Sequence, residues 1–187
     1  MTQTDLFVSN TGLKELAPNC YINYIPKFIK NTKPYIEYLQ SLSNFTIRNN
    51  RCVTFFGSKK YDYTFYTHAP KPFPEQLLPL LININKISKI ELNSVLINLY
   101  RNGNDYISYH SDDEKQIDRS CIASLSFGAT RDFVIKRIAY QESITYPLSD
   151  GDLIFMLGDF HDKFKHGIPK RKTVKQPRWN LTFRKLL

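Results

Sequence analysis

A chain of 187 residues has room for one proper core, and 42% hydrophobic with 23% charged residues are ordinary proportions for a globular fold. Lys and Arg outnumber Asp and Glu by 26 to 17, a net charge of +9 that points to polyanionic partners, nucleic acid first. Three scattered cysteines without a C-x-x-C spacing argue against a disulfide frame or a cysteine zinc site, no basic-then-apolar leader opens the chain, and no apolar run approaches the roughly 20 residues of a membrane span, so the expectation is a soluble, intracellular protein of one domain.

Residues 1–50 alternate short apolar runs with polar breaks. Asn31-Thr32-Lys33-Pro34 predicts the capped start of a helix over 35–42, since Pro suits a first turn and Asn or Thr a cap. Strand formers crowd 52–56 and 61–66, with Gly57-Ser58-Lys59-Lys60 as the turn between them. A Pro-rich break over 69–74 precedes a helix predicted at 75–87. Beyond residue 94 the texture is short strands: 94–100, 107–110, 122–127, 133–138, 153–157 and 179–184, punctuated by Gly- and Asn-containing turns. Strands in that density without intervening long helices predict an antiparallel barrel or jelly roll, with helices before it.

Two patterns carry chemistry. In Arg178-Trp179-Asn180-Leu181-Thr182-Phe183-Arg184 the strand period of two puts Arg178, Asn180, Thr182 and Arg184 on one face and the apolar residues on the other. The simplest reading is a half-buried strand with its polar face in water. The alternative is a dicarboxylate held by two guanidinium groups, each able to form a bidentate pair. In Tyr109-His110-Ser111-Asp112-Asp113-Glu114, His110 and Asp112 are two apart and face the same way on an extended segment. That is the adjacent pair of a two-His-one-carboxylate iron(II) site, although H-x-D alone is a weak signal. The third ligand must come from His68, His161 or His166. His68 lies in the Pro-rich region and reads as a packing histidine; spacing alone separates His161 from His166 poorly.

Together these residues resemble the AlkB family of iron(II)/2-oxoglutarate dioxygenases, in its eukaryotic-type nucleic-acid repair branch. The match runs through Asn98-Leu99-Tyr100-Arg101-Asn102, His110-Ser111-Asp112-Asp113-Glu114, residues 122–131, His166-Gly167-Ile168-Pro169 and Arg178 to Arg184, in the family's order. The resemblance implies an α+β fold with a mainly β core: a double-stranded β-helix (jelly roll) over 91–187, a substrate-lid β extension with its supporting helix over 51–90, and a helical N-terminal extension over 1–50. It implies iron bound by His110, Asp112 and His166, which selects His166 over His161. Asn98, Tyr100, Arg178, Asn180 and Arg184 would hold 2-oxoglutarate, Arg178 at the distal carboxylate and Arg184 towards the iron-chelating end. Glu114 would accept a hydrogen bond from the base, Asp113 would pair with Arg51, and Tyr63 and Phe65 would wall the base pocket. The implied reaction is oxidative N-demethylation of bases such as 1-methyladenine and 3-methylcytosine in DNA or RNA. It consumes O2 and 2-oxoglutarate and releases succinate, CO2 and formaldehyde.

The chain departs from the family pattern in two places. No apolar finger is evident over 42–47, and the connection between residues 133 and 153 is too short for a long basic clamp. Both lean towards single-stranded DNA or RNA, or towards a different grip on a duplex; the chain is expected to be a monomer. Lys163, Lys165, Lys170, Arg171, Lys172 and Lys175 surround the third ligand and suit phosphate contacts. The Lys/Asn/Ile-rich texture fits an AT-rich coding genome, hence a nuclear or cytoplasmic enzyme of a microbial eukaryote or of a virus-infected cell. Two other functions share the pattern: hydroxylation of a protein or modified nucleotide, and a catalytically silent nucleic-acid-binding barrel.

Overall fold

The computed structural model describes residues 12–48, 50–63, 66–139 and 142–187; Phe65 and the side chain of Tyr63, two expected pocket walls, lie outside the described residues. The elements follow in chain order as β1 (Leu13–Ala17), β2 (Cys20–Ile25), α1 (Lys33–Ser41), β3 (Thr46–Arg48), β4 (Arg51–Gly57), β5 (Tyr61–Tyr63) and β6 (Tyr66–His68). A 3-10 turn, Glu75–Leu77, leads into α2 (Leu78–Ser88), and then come β7 (Ser94–Tyr100), β8 (Ile107–His110), β9 (Ile117–Gly128) and β10 (Arg131–Arg137). The chain ends with β11 (Ser143–Leu148), β12 (Leu153–Gly158), α3 (Phe160–Lys163), β13 (Phe164–Ile168) and β14 (Arg178–Leu186).

Eight strands form one sheet in the order β1-β2-β12-β9-β14-β7-β4-β3, and four form a second in the order β11-β10-β13-β8. Strands β5 and β6 make a separate hairpin. All the described pairings are antiparallel, as a jelly roll requires.

Both faces of the large sheet are buried. Ile22, Val53, Leu96, Ile122 and Ile154 pack with Phe133, Ile135 and Ile168 of the small sheet in one core. Leu39 of α1 and Leu80 and Ile84 of α2 join Ile97, Leu125, Leu181 and Phe183 in a second. Two-sided burial explains why β7 and β12 read as nearly continuous apolar runs rather than as alternation.

The expected helix at 35–42 is α1, with Pro34 in its first turn. Thr32 occupies the cap position without capping: its hydroxyl donates instead to Oδ2 of Asp150 (2.6 Å), tying the helix to the turn before β12. The N-terminal extension holds strands as well as that helix. Residues 13–25 are strands, because Cys20–Ile25 pairs along β12 and extends the large sheet. Strand β11 escaped the sequence reading because Pro147 breaks its pattern; it lies at the edge of its sheet, where a proline costs no ladder bond. The three cysteines are buried free thiols, and no helix among the described residues is long and apolar enough to cross a membrane.

The loop after β7 is locked to the segment before β14 through Gly103, whose N–H donates to the Val174 carbonyl and whose carbonyl accepts from Arg171 N–H, both at 2.8 Å. A Cβ here would be driven into the Arg171 carbonyl oxygen. Gly103→Ala is expected to destabilise the protein by about 1–3 kcal/mol, seen as a lower urea midpoint at unchanged slope. An unaltered midpoint would show that this loop yields freely.

Candidate metal centre

The small sheet brings the two histidines together. His166 of β13 lies directly opposite His110 of β8 in the ladder, and their ring centroids are 4.4 Å apart. The β8–β13 pairing slips between His166 and Ile168, and such irregularities beside a site re-aim the side chains that follow. Asp112 comes just after β8 and is fully buried. His110, Asp112 and His166 each offer a ligand atom within 4.8 Å of the others, and they are the group of that kind found among the described residues. His161, the competing histidine, is not in it.

The donor chemistry fits a divalent iron. His110 Nδ1 lies 2.9 Å from the Ser108 carbonyl, which can only accept, so the proton sits on Nδ1 and Nε2 presents a lone pair. That Nε2 is held 3.5 Å from Asp112 Oδ1. Two electron-rich atoms at this separation call for a proton or a metal cation between them. Neither carboxylate oxygen of Asp112 accepts a well-formed hydrogen bond. Burial alone would push its pKa up, but the Arg184 guanidinium and His110 outweigh that and hold it well below the usual carboxylate range. His166 is driven well below an ordinary imidazole by burial first and then by the neighbouring His110. An ionised carboxylate and neutral imidazoles are the forms that bind metal.

The large sheet supplies the other wall. On β14, Arg178, Asn180, Thr182 and Arg184 all point between the two sheets and are buried, while Trp179, Leu181 and Phe183 pack under the helices. The water-facing alternative for this strand is therefore ruled out. Arg178 stands opposite Tyr100, and Asn180 opposite Asn98, on β7. Arg184 reaches the metal end, its Nη2 lying 3.1 Å from Asp112 Oδ1, and the β14–β9 register shifts between Phe183 and Lys185, just where that reach is needed.

Arg178 sits at the far end of the strand face. Its Nη2 donates to Ser126 Oγ (2.8 Å) and Asn180 Oδ1 (3.0 Å), while Nε and Nη1 are buried without an acceptor among the described residues. Burial pushes this guanidinium down to about 10. The Arg178 guanidinium and that of Arg131 both lie against the Tyr100 ring, 5.4 and 5.6 Å from the centroid. A buried cation with two unused donors needs an anion, and a carboxylate supplies two oxygens in matching geometry.

The sequence reading missed Ser124 and Ser126 of β9. Ser124 Oγ donates to Asn180 Oδ1 (2.8 Å), and Asn180 Nδ2 donates to Thr182 Oγ1 (2.8 Å), so the polar face of β14 is a bonded chain. Ser124 and Ser126, two apart in the apolar stretch of residues 121–127, were the available signal.

Around the mouth, Glu114 is partly buried and accepts from the Tyr61 hydroxyl (3.1 Å). Burial pushes its carboxyl up, Arg184 opposes that and Asp112 adds to it. Gln116 clasps the β5–β6 hairpin from both sides: its Oε1 accepts from Asp62 N–H (2.8 Å) and its Nε2 donates to Asp62 Oδ2 (2.6 Å). Arg51 donates from Nε to Asn98 Oδ1 (2.7 Å), while Asp113, its expected partner, is exposed. His68 stacks on Phe55 and Tyr61 as a packing histidine, and burial pushes it down to about 4.

Comparison with known proteins agrees with this geometry. The model of the 2OG-Fe(II) oxygenase superfamily matches residues 20–184. Alpha-ketoglutarate-dependent dioxygenase alkB homolog 3 of Homo sapiens is 37% identical over 150 residues, covering 74% of this chain and 52% of that protein. DNA oxidative demethylase ALKBH2 of Homo sapiens is 38% identical over 146 residues, covering 71% and 55%. The chain thus spans about half the length of the curated relatives it matches. A solved structure of OsALKBH1 superposes with a TM-score of 0.67 at 16% identity, over 92% of this chain and 99% of that one, and shows the same fold. Fold, ligand geometry and relatives converge: the chain belongs to the 2OG-Fe(II) oxygenase superfamily, as one of its AlkB-type members.

Proposed function

We propose that this chain removes N-linked alkyl groups from bases such as 1-methyladenine and 3-methylcytosine in DNA or RNA. The observation that carries the reading is the His110–Asp112–His166 cluster, with Asp112 and His166 buried and His110 partly so, on the same cavity as Asn180, Thr182 and Arg184 of β14, in a chain whose relatives include a DNA oxidative demethylase. Iron(II) held by His110, Asp112 and His166, with 2-oxoglutarate and O2, would supply the oxidising chemistry, yielding succinate, CO2 and formaldehyde. Arg178 receives the distal carboxylate of 2-oxoglutarate through its two unused donors, with Tyr100, Asn98 and Asn180 lining its length. Arg184 stands at the iron-proximal end and keeps Asp112 ionised.

The β5–β6 hairpin serves as the substrate lid, clasped by Gln116 and carrying Tyr63 and Phe65 as stacking walls by their place in the sequence. Ring stacking contributes about 1–3 kcal/mol per base. Glu114 and Asp113 stand next to the metal ligands, where a cationic methylated base is favoured. Arg51 supports the site through Asn98.

The outer face of the small sheet suits the strand that carries the base. Lys136 and Lys165 are exposed and lie directly opposite each other in the β10–β13 ladder. Like charges so placed destabilise a sheet unless an anion joins them. The β10–β11 connection is only residues 138–142, which supports a single-stranded substrate over a clamped duplex.

The test is one assay with iron(II), 2-oxoglutarate and matched single- and double-stranded DNA and RNA oligonucleotides bearing either lesion, read by mass. Loss of 14 mass units per methyl group (about 14, a CH2) with the single strands turned over fastest is the expected result. Intact metal binding without demethylation of any oligonucleotide would sink the repair reading. Succinate formation on unmodified peptide instead would replace it with protein hydroxylation.

A further inference from the structure

The loop that carries Asp112 lies outside both ladders, between the end of β8 and the start of β9. Its backbone must therefore find partners elsewhere, since a buried N–H left alone costs about as much as a lost hydrogen bond. Ser111 anchors one side by donating from Oγ to the Phe164 carbonyl (3.0 Å). On the other side the Asp112 N–H donates to Nδ1 of His161, at 3.2 Å. His161 comes from α3, the single turn between β12 and β13, and is 3% exposed. Its ring is wedged edge-on against Phe160 (5.2 Å) and against the ligand His166 (5.7 Å).

From this geometry we propose that His161 is a positioning residue: as a backbone acceptor it fixes the main chain of Asp112, and with it the direction of the carboxylate towards the metal. The inference rests on the metal-site reading above and adds a residue outside the ligand set. Accepting at Nδ1 places the ring proton on Nε2, which is buried and has no hydrogen-bond partner among the described residues; His161 also borders a polar cleft with Arg119, Ser120, Asp159 and Asp162. The Nδ1 lone pair is taken up by the Asp112 N–H and Nε2 carries the proton, so this arrangement leaves neither ring nitrogen to act as a ligand. The ring is thus a spacer with an acceptor on the iron side and a donor on the outer side. It touches the ligand's backbone and leaves the reacting atoms alone.

An acceptor requirement separates this role from mere filling of space. Asparagine places its Oδ1 near where Nδ1 was; glutamine places its oxygen near the Nε2 position instead. Anaerobic titration of the full chain with Mn(II), a redox-inert stand-in for iron(II), reads the metal site without turnover. His161→Gln is expected to weaken Mn(II) binding ten- to hundredfold, about the loss seen when supporting partners of metal ligands are removed. His161→Asn should recover at least half of that loss on a logarithmic scale. Circular dichroism melts, run in parallel, establish that both variants are folded at the titration temperature. If glutamine binds Mn(II) as tightly as the unaltered protein, or if asparagine is as weak as glutamine, the positioning role is wrong. Should either variant fail to fold, His161→Phe and its Mn(II) affinity decide: binding as tight as the unaltered protein overturns the proposal. No Mn(II) binding by the unaltered protein would overturn the metal site itself, a result distinct from all of these.

Discussion

Asp112→Asn should leave a folded protein that no longer forms succinate from 2-oxoglutarate. The amide keeps the carboxylate's shape but brings no negative charge to the cluster, and an anionic oxygen is what a two-His-one-carboxylate site needs to hold iron(II). Losing a mere supporting partner costs about 10–100-fold in metal affinity or activity, so losing a ligand should cost more than about a hundredfold. The substitution also removes the carboxylate 3.1 Å from Arg184, at the end of the cavity where that arginine meets the metal. Both effects act on turnover in the same direction. Succinate release coupled to a methylated oligonucleotide is the measurement. Residual turnover above a tenth of the original would show that Asp112 is not a ligand.

Arg178→Met is expected to uncouple the cosubstrate from the protein while leaving metal binding intact. The guanidinium is 1% exposed and has two donors without an acceptor among the described residues. Hydrogen bonds to charged groups contribute about 1.5–3 kcal/mol each. Losing two should raise the 2-oxoglutarate requirement at least about a hundredfold. Thermal shift gives a second readout. A ligand at 100 times its Kd stabilises by about 2.7 kcal/mol, or about 5–10 °C for a chain of this size. In the presence of Mn(II), 2-oxoglutarate should raise the Tm of the unaltered protein and leave that of the variant where it was. A variant that kept the shift would place the distal carboxylate elsewhere.

Much of this was legible in the chain itself, and the reasons are specific. The same-face set on β14 followed from a period of two, and the ligand pair from a spacing of two. What periodicity lacked was the other side of each face. Periodicity alone leaves a water-facing and an inward-facing reading of Arg178, Asn180, Thr182 and Arg184 open, and it is the cover of α1 and α2 over Trp179, Leu181 and Phe183 that decides between them. His166 could be separated from His161 by likeness to a family, but geometrically only by the ladder that sets it opposite His110. His161 was hidden for a different reason. It acts on a backbone amide 49 positions away, and a backbone acceptor leaves no residue pattern to read. The strands at 13–25 were missed because β2 pairs with β12, more than a hundred residues distant, and β1 joins the sheet only through β2.

The two buried faces of β14 have one further consequence. Side chains alternate along a strand, so a slip of one position in its pairing exchanges the two sets completely. A molecule folded in that slipped register would present indole, isobutyl and phenyl groups to the cavity between the sheets, and would thrust two guanidinium groups into hydrocarbon. Such a molecule is both unstable and unable to fire. A stable core and a usable cavity are thereby tied to one register, since the pairing that buries Trp179, Leu181 and Phe183 is the same one that turns Arg178, Asn180, Thr182 and Arg184 towards His110, Asp112 and His166.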